Sequence, residues 1–354
     1  MGCTCMKHLT EAASPTLNTV EDIEPLGFPI SILGKDISPS MTIIFPELGP
    51  IENPNEPSVD SIIIPDCYIY STASINSPNH ILEYNITKHS LDHVEIPFKL
   101  YSECAVLPLS NQKLFCAGGY DLCLNQEVKN TVIVSIENSE IFELAPLLNT
   151  KRKARLVQDA TFVYCIGGVR EIIEKTSTYV KKYQCYENNF ERYSLEDNVW
   201  VSLPQMIFGV EYPACCIFAK EIFVCGGANV NGKDLVVEKR IQVFNIENMI
   251  WRICDFVLEV PMYGGHCWPR TEDYFLIFGG SDGSFDQKAA CYKFSKSGCE
   301  VVKETDDVNL FSPYYFVPYE DEIYLINDEG QLVSISFERK AHMIISLENS
   351  KYFN

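Results

Sequence analysis

No stretch of this chain approaches the roughly 20 consecutive apolar residues that carry a helix across a bilayer, so no membrane-spanning helix is expected. The first 25 residues hold no apolar region of the kind a secretory signal needs, and none is expected there. Basic residues are scarce: 28 Lys and Arg stand against 48 Asp and Glu, a formal charge of −20. That shortage disfavours a nucleic-acid binder, whose affinity comes largely from cations meeting phosphates. It also repels an anionic membrane surface unless something else supplies attachment. The 15 cysteines, an odd number, include no CxxC facing a second CxxC or a His pair, so no zinc site is expected. GxSxG, P-loop, HExxH and Rossmann fingerprints are missing, and Cys215-Cys216 has no base beside it. No catalytic residue, metal, cofactor or small-molecule substrate is therefore assigned. Helical periodicity is nearly absent.

What is present is apolar and aromatic: 46% and 12% of 354 residues, ample for a large core. Tyr (19) and Phe (20) lean towards β-structure. Several cysteines sit inside apolar runs, Cys116 in LFCAGG, Cys165 in YCIGG and Cys225 in FVCGG. They read as small core residues of a reduced intracellular protein. The sequon Asn85-Ile86-Thr87 counts weakly the other way. Length alone suggests two domains, although β arrays exceed that prior as one unit.

Residues 1–60 are rich in Pro, Ser, Thr and Glu and carry two basic against nine acidic residues. This composition predicts a largely disordered acidic tail. Met41–Phe45, MTIIF, is the one segment in it that reads as a docking strand. Beyond residue 61 short apolar runs alternate with turn residues. A glycine pair follows a strand-like run four times, at Gly118-Gly119, Gly167-Gly168, Gly226-Gly227 and Gly279-Gly280, with separations of 49, 59 and 53 residues. A period of this size predicts blades or a solenoid.

Downstream of each pair, an apolar residue is followed seven positions later by another. The blocks are VSIENSEI (134–141), YSLEDNVW (193–200), FNIENMIW (244–251) and YKFSKSGC (292–299). YNITKHSL (84–91) and ISFERKAH (335–342) fit without a glycine pair. The first and third positions end one strand on one face, a polar turn follows, and the eighth position starts the next strand. The glycines end the preceding strand where the backbone must turn with φ > 0 and pack closely. Each repeat then reads as four strands. In the third these are a near Leu156–Ala160, b Phe162–Gly167, c near Gln184–Leu195 and d Val199–Leu203. The expected blades cover about 61–98, 99–148, 149–205, 206–261, 262–305 and 306–350.

A strand ending in Gly-Gly, then Tyr, then Trp after six residues, at about 50-residue spacing, resembles the kelch-repeat β-propellers over residues 61–347. Tyr193/Trp200 and Phe244/Trp251 match best. Tyr292 keeps the aromatic but has Cys299 at the Trp position, and blades one and six lack the glycine pair. The resemblance implies an all-β, six-bladed propeller of four-stranded antiparallel blades at 61–354. Some propellers of this kind are copper oxidases with converging His and Tyr ligands. Here His89 and His93 are four apart and could share a strand face, but they read as polar residues of an outer strand.

Met1-Gly2-Cys3-Thr4-Cys5 resembles dually acylated N-termini, with Gly2 a myristoylation and Cys3 and Cys5 palmitoylation candidates. Met6 stands where that pattern usually has Ser or Thr. One myristoyl chain binds with K of about 10⁴ M⁻¹, and a second chain makes anchoring durable. In an antiparallel four-stranded blade, b–c and d–a loops share a face. Here the b–c loops are long, and long loops on a rigid scaffold carry recognition. Lys151, Arg152, Lys153, Arg155, Arg170, Lys181, Lys182, Lys239 and Arg240 are placed on that face as candidate partner-binding residues. They are weighed as a site for an acidic partner or lipid headgroups against a solvated rim, with the rim favoured. Kelch repeats also commonly carry an Arg near the start of strand a.

The expectation is a non-enzymatic protein-binding scaffold, held by acyl chains on the cytoplasmic face of a membrane or else cytosolic. The alternatives are a substrate-recognition subunit for ubiquitin ligation, a soluble or cytoskeletal kelch adaptor and, last, a divergent propeller enzyme.

Overall fold

The computed structural model describes residues 67–71, 80–95, 101–110, 112–175, 180–231, 234–284, 289–305, 310–320, 322–329, 331–336 and 342–346. All of them fall within one compact unit, Thr42–Asn354. Among the described residues every regular element is a strand.

Blade one holds β1 (Tyr68–Ser71), β2 (His80–Asn85) and β3 (Ser90–Glu95). Blade two runs β4 (Ala105–Ser110) and β5 (Lys113–Ala117), then a hairpin β6 (Tyr120–Asp121) and β7 (Gln126–Glu127), then β8 (Thr131–Ser135) and β9 (Glu140–Leu144). Blade three repeats the plan with β10 (Arg155–Gln158), β11 (Phe162–Ile166), hairpin β12 (Val169–Lys175) and β13 (Val180–Tyr186), β14 (Phe190–Ser194) and β15 (Val199–Leu203). Blade four has β16 (Ala214–Phe218), β17 (Glu221–Cys225), hairpin β18 (Ala228–Asn231) and β19 (Asp234–Val237), β20 (Arg240–Asn245) and β21 (Ile250–Val257). Blade five is β22 (Tyr263–Pro269), β23 (Tyr274–Ser281), β24 (Ala289–Ser295) and β25 (Gly298–Thr305). Blade six is β26 (Phe316–Tyr319), β27 (Glu322–Ile326), β28 (Gln331–Ser336) and β29 (His342–Ser346). Blades two to six are antiparallel four-stranded sheets in a-b-c-d order. The fourth strand of blade one, expected near Ser61, lies outside the described residues, as do the tail and Met41–Phe45.

The core lies between blades rather than within them. Tyr193 and Trp200 face each other across β14 and β15. Both rings pack on Phe115 of blade two, with centroids 5.4 and 6.3 Å away. Trp200 also donates its indole N–H to Ala145 O at 3.0 Å. One blade further on, Phe244 and Trp251 pack on Phe190 at 4.8 and 5.2 Å, and Trp251 donates to Pro204 O at 2.8 Å. The spaced aromatic pair is thus a staple to the preceding blade, and each such ring takes roughly 150–250 Å² out of water. The turn between the two strands needs one left-handed residue. His89, Ser139, Asn198 and Met249, each five positions after the first residue of its block, have φ of 52, 51, 52 and 60°. Asn fits best, and Asn198 uses its Oδ1 to accept from Tyr193 Oη and Ala145 N, both at 2.8 Å. The ring closes through one cluster that joins Tyr70 and Tyr84 of blade one, Cys116 of blade two and Tyr324 of blade six with Tyr315. Tyr70 N donates to Tyr315 Oη at 2.7 Å.

The glycine pairs do the same work at four junctions. The second glycine donates its N–H to a carbonyl of the incoming connection: Gly119 to Lys151, Gly168 to Val210, Gly227 to Met262 and Gly280 to Leu310, all at 2.7–2.8 Å. A Cβ on Gly167 would sit 2.4 Å from that Val210 oxygen, so no side chain fits.

The structure corrects three readings. Strand c of blade three is Phe190–Ser194, and Gln184–Tyr186 belong to the added hairpin. In blade five the turn is two residues shorter, with Ser295 opposite Gly298, so Cys299 faces Phe294 and Tyr292 faces Val301. In blade six His342 pairs with Ser334, one step off the block spacing.

Candidate functional site

Among the described residues three neighbouring blades carry an extra hairpin in the b–c connection, and all three rise from one face. Their first strands bridge to the incoming d–a connections, Tyr120 to Ser102, Val169 to Arg152 and Ala228 to Glu211. The hairpins touch: Glu171 N of the second donates to Glu127 Oε1 of the first at 2.9 Å. At the centre of the face five successive connections are joined in a backbone arc around the ring. Lys153 N donates to Glu103 O, Tyr212 N to Lys153 O, Gly264 N to Tyr212 O and Ser312 N to Gly264 O, at 2.8–2.9 Å. Glu103, Lys153, Tyr212 and Gly264 reach it with φ of 55, 59, 46 and 69°. A repeated left-handed residue turns each chain from the face into its inner strand.

Below the arc the axis is filled. Arg155, from the start of β10, is buried and donates across to blades four, five and six. Its Nε gives to Pro213 O at 3.1 Å, Nη1 to Pro313 O at 3.0 Å and to Tyr314 O, and Nη2 to Ser312 O at 2.6 Å and Gly265 O at 3.3 Å. All five N–H groups are used, none on a carboxylate, and burial lowers its pKa to about 10. His266 lies buried on β22, held well below the usual histidine range by burial and then by Arg155. His89 sits in a turn against Tyr84 Oη at 3.1 Å while His93 lies on β3, so the two do not share a strand. Among the described residues no three His, Cys, Asp or Glu are grouped to hold a metal ion. Cys116, Cys165 and Cys225 are buried in the core.

The basic residues read from the sequence divide. Lys151 is fully buried and pairs with Glu191 at 2.8 Å, and Arg155 is the axial plug; neither reaches a partner. Arg152 lies between Glu103 and Glu127 (3.2 Å to the latter), and Lys153 is 3.1 Å from Glu211. Arg170 meets Glu187 and Arg240 meets Glu238, each at 2.5 Å. Lys239 donates to Glu259 O at 2.7 Å. The side chains of Lys181 and Lys182 lie outside the described set, as do Gly2, Cys3 and Cys5. Sequence reasoning missed Glu103, Glu127 and Glu211, because each acquires its cation across a blade junction. It also missed the exposed apolar side chains of the hairpins, among them Leu124 at 65% and Leu235 at 49%. Their signal was there: apolar residues in segments with no core to face.

These features define a closed six-bladed β-propeller, consistent with the kelch type, with its axis plugged and one face built up by hairpins. No model of a known protein family matches the chain. It is similar to kelch repeat and BTB domain-containing protein 2 of Ectromelia virus, 25% identical over 187 residues, 51% of this chain and 30% of that protein. It is also similar to human Kelch-like protein 38, 24% identical over 190 residues, 52% of this chain and 29% of that protein. The Cowpox virus (strain GRI-90 / Grishak) kelch repeat and BTB domain-containing protein 2 is 24% identical over 157 residues, 42% of this chain and 26% of that protein. The chain spans about a third of the length of the curated relatives it matches.

Proposed function

We propose that this chain is a non-enzymatic protein-interaction scaffold that binds another protein through the hairpin-bearing face. The observation that carries the reading is the row of three added hairpins on blades two to four, with apolar side chains in water that the fold itself does not need. The plugged axis agrees with it, since the centre of the ring offers Arg155 no free N–H. Cross-linking of the native protein tests the reading. Lys129 and Lys239 are expected to link to a second polypeptide, and links confined to the opposite face would overturn it.

Acylation at Gly2, Cys3 and Cys5 then holds the scaffold on the inner face of a membrane; mass spectrometry of the native N-terminus decides, and unmodified residues remove the tether. A second reading, substrate recognition for ubiquitin ligation, is favoured by two relatives being kelch repeat and BTB domain-containing proteins. Failure of the native protein to co-purify with ubiquitin-ligase subunits overturns that role and leaves the scaffold.

A further inference from the structure

The fourth strands of the blades make up the rim of the propeller, and their outer edges differ in how well they are protected. In blades one, two and five that strand carries carboxylates, Asp92 and Glu95 on β3, Glu140 and Glu143 on β9 and Glu300 on β25. In blade three β15 has no charge, but it spans five residues and stops before Pro204. Charges, short length and proline all keep an edge strand from meeting another chain. Blade four is the bare one. Its β21 spans eight residues, and Ile250, Ile253, Phe256 and Val257 are 60, 37, 39 and 55% exposed. Phe256 leans towards blade five, edge-on to Phe294 with centroids 6.0 Å apart, and Val302 of the adjoining β25 is 48% exposed. An apolar patch of this kind on a charged surface marks a contact with another molecule.

The two charges of β21 say which molecule. Arg252, half-exposed, donates to Glu221 Oε2 at 2.8 Å, and the exposed Asp255 faces no cation among the described residues. Their signs are opposite, and in Ile-Trp-Arg-Ile-Cys-Asp-Phe-Val they stand at equal distances from the middle of the strand. A two-fold contact has to be complementary to itself, and this order of residues is. We propose that β21 is the contact between two copies of this chain, apposed antiparallel about a two-fold axis that passes between Ile253 and Cys254. Arg252 then meets Asp255 of the other copy twice over, Ile250 meets Val257, and Trp251 meets Phe256. Two extra residues enter β21 between the pairs Gln242–Ile253 and Arg240–Val257, so the strand bends there and side chains, rather than an unbroken ladder, make the contact. The charge of −20 on each copy opposes the approach and keeps the association weak. β21 runs towards the hairpin face, so the two hairpin faces of the dimer point in opposite directions and both stay free. The dimer goes beyond the scaffold reading and does not rest on it.

The test is sedimentation equilibrium of the intact chain at rising concentration. A monomer–dimer equilibrium is expected, weakened at least about tenfold by Ile253→Asp/Val257→Asp. Arg252→Glu and Asp255→Arg should each weaken it severalfold. An equimolar mixture of those two single variants should associate more tightly than either alone, because both contacts across the axis then join opposite charges. Leu124→Asp, on the hairpin face, should change nothing. A monomer at every concentration up to about 0.1 mM would overturn the proposal and leave the rim to another protein or to the acidic tail. A dimer indifferent to the rim substitutions, or a mixture no tighter than its components, would overturn this interface. Should Ile253→Asp/Val257→Asp not fold, Ile250→Asp alone, at 60% exposure, carries the same readout.

Discussion

The repeat supplies its own control for the buried ion pair between Lys151 and Glu191. Both side chains are at most 1% exposed, and Glu191 Oε2 also accepts from Leu148 N at 2.8 Å. One blade later the equivalent positions are Val210 and Gln242. There the amide does the same job: Gln242 Oε1 accepts from Ile207 N at 2.9 Å and its Nε2 donates to Phe208 O at 3.1 Å. Lys151→Val alone strands a buried carboxylate, which costs about 3–5 kcal/mol, whereas replacing both charges of a buried pair is often neutral. At roughly 2 °C per kcal/mol for a chain of this size, the single variant should melt ~6–10 °C lower. Lys151→Val/Glu191→Gln, which copies blade four into blade three, should recover most of that. Thermal melts at neutral pH of wild type, both singles and the double complete the cycle. A Lys151→Val melt within about 2 °C of wild type, or a double as unstable as that single, would refute the reasoning.

Arg155→Met leaves five carbonyls short of a donor at ~1 kcal/mol each and removes a burial cost that the lowered pKa puts at about 3 kcal/mol, so a net loss of ~2 kcal/mol is expected in urea unfolding. Arg155→Lys, with three donors on a more strongly hydrated head, should recover none of it. Gly226→Ala puts a Cβ 2.1 Å from Met262 O at φ +63°, whereas Gly279→Ala puts one 3.0 Å from Leu310 O at φ +73°. Strain of this kind costs about 1–3 kcal/mol, and the first variant should melt clearly below the second. Glu211, raised by burial against the opposing pull of Lys153, contributes stability below its unfolded pKa that is lost as pH rises through the higher folded value. Glu211→Gln should therefore be more stable than wild type at pH 7, with the gap closing towards pH 4; a gap of the opposite sign at pH 7 sinks the assignment.

The propeller was legible because its signals are local and repeated. Gly167-Gly168 and Tyr193 to Trp200 each satisfy a demand of one turn or one strand pair, and the same demand recurs in every blade that keeps the pattern. The period-two rule even set the correct face, and Tyr193 and Trp200 do stand opposite each other. Where the turn shortens, at Ser295–Gly298, counting residues placed Cys299 opposite Tyr292 rather than opposite Phe294, two pairs along the ladder, because register depends on turn geometry and not on spacing alone.

The site was legible only in outline. Long b–c loops could be read, but the split of Val180–Tyr186 from strand c could not, since the alternation runs through both. The KRKAR run shows the limit best. Composition made five adjacent residues look like one basic surface; the fold sends Lys151 to Glu191, Arg155 to the axis and the others to glutamates 25 to 58 residues away. Sequence alone determined that there would be repeated blades and, in blades one to four, where they turn, since those choices are settled within a few residues. Which charges face water was decided only by closure of the ring. A charge is buried or solvated according to what arrives from the next blade, and nothing in its own neighbourhood along the chain records that.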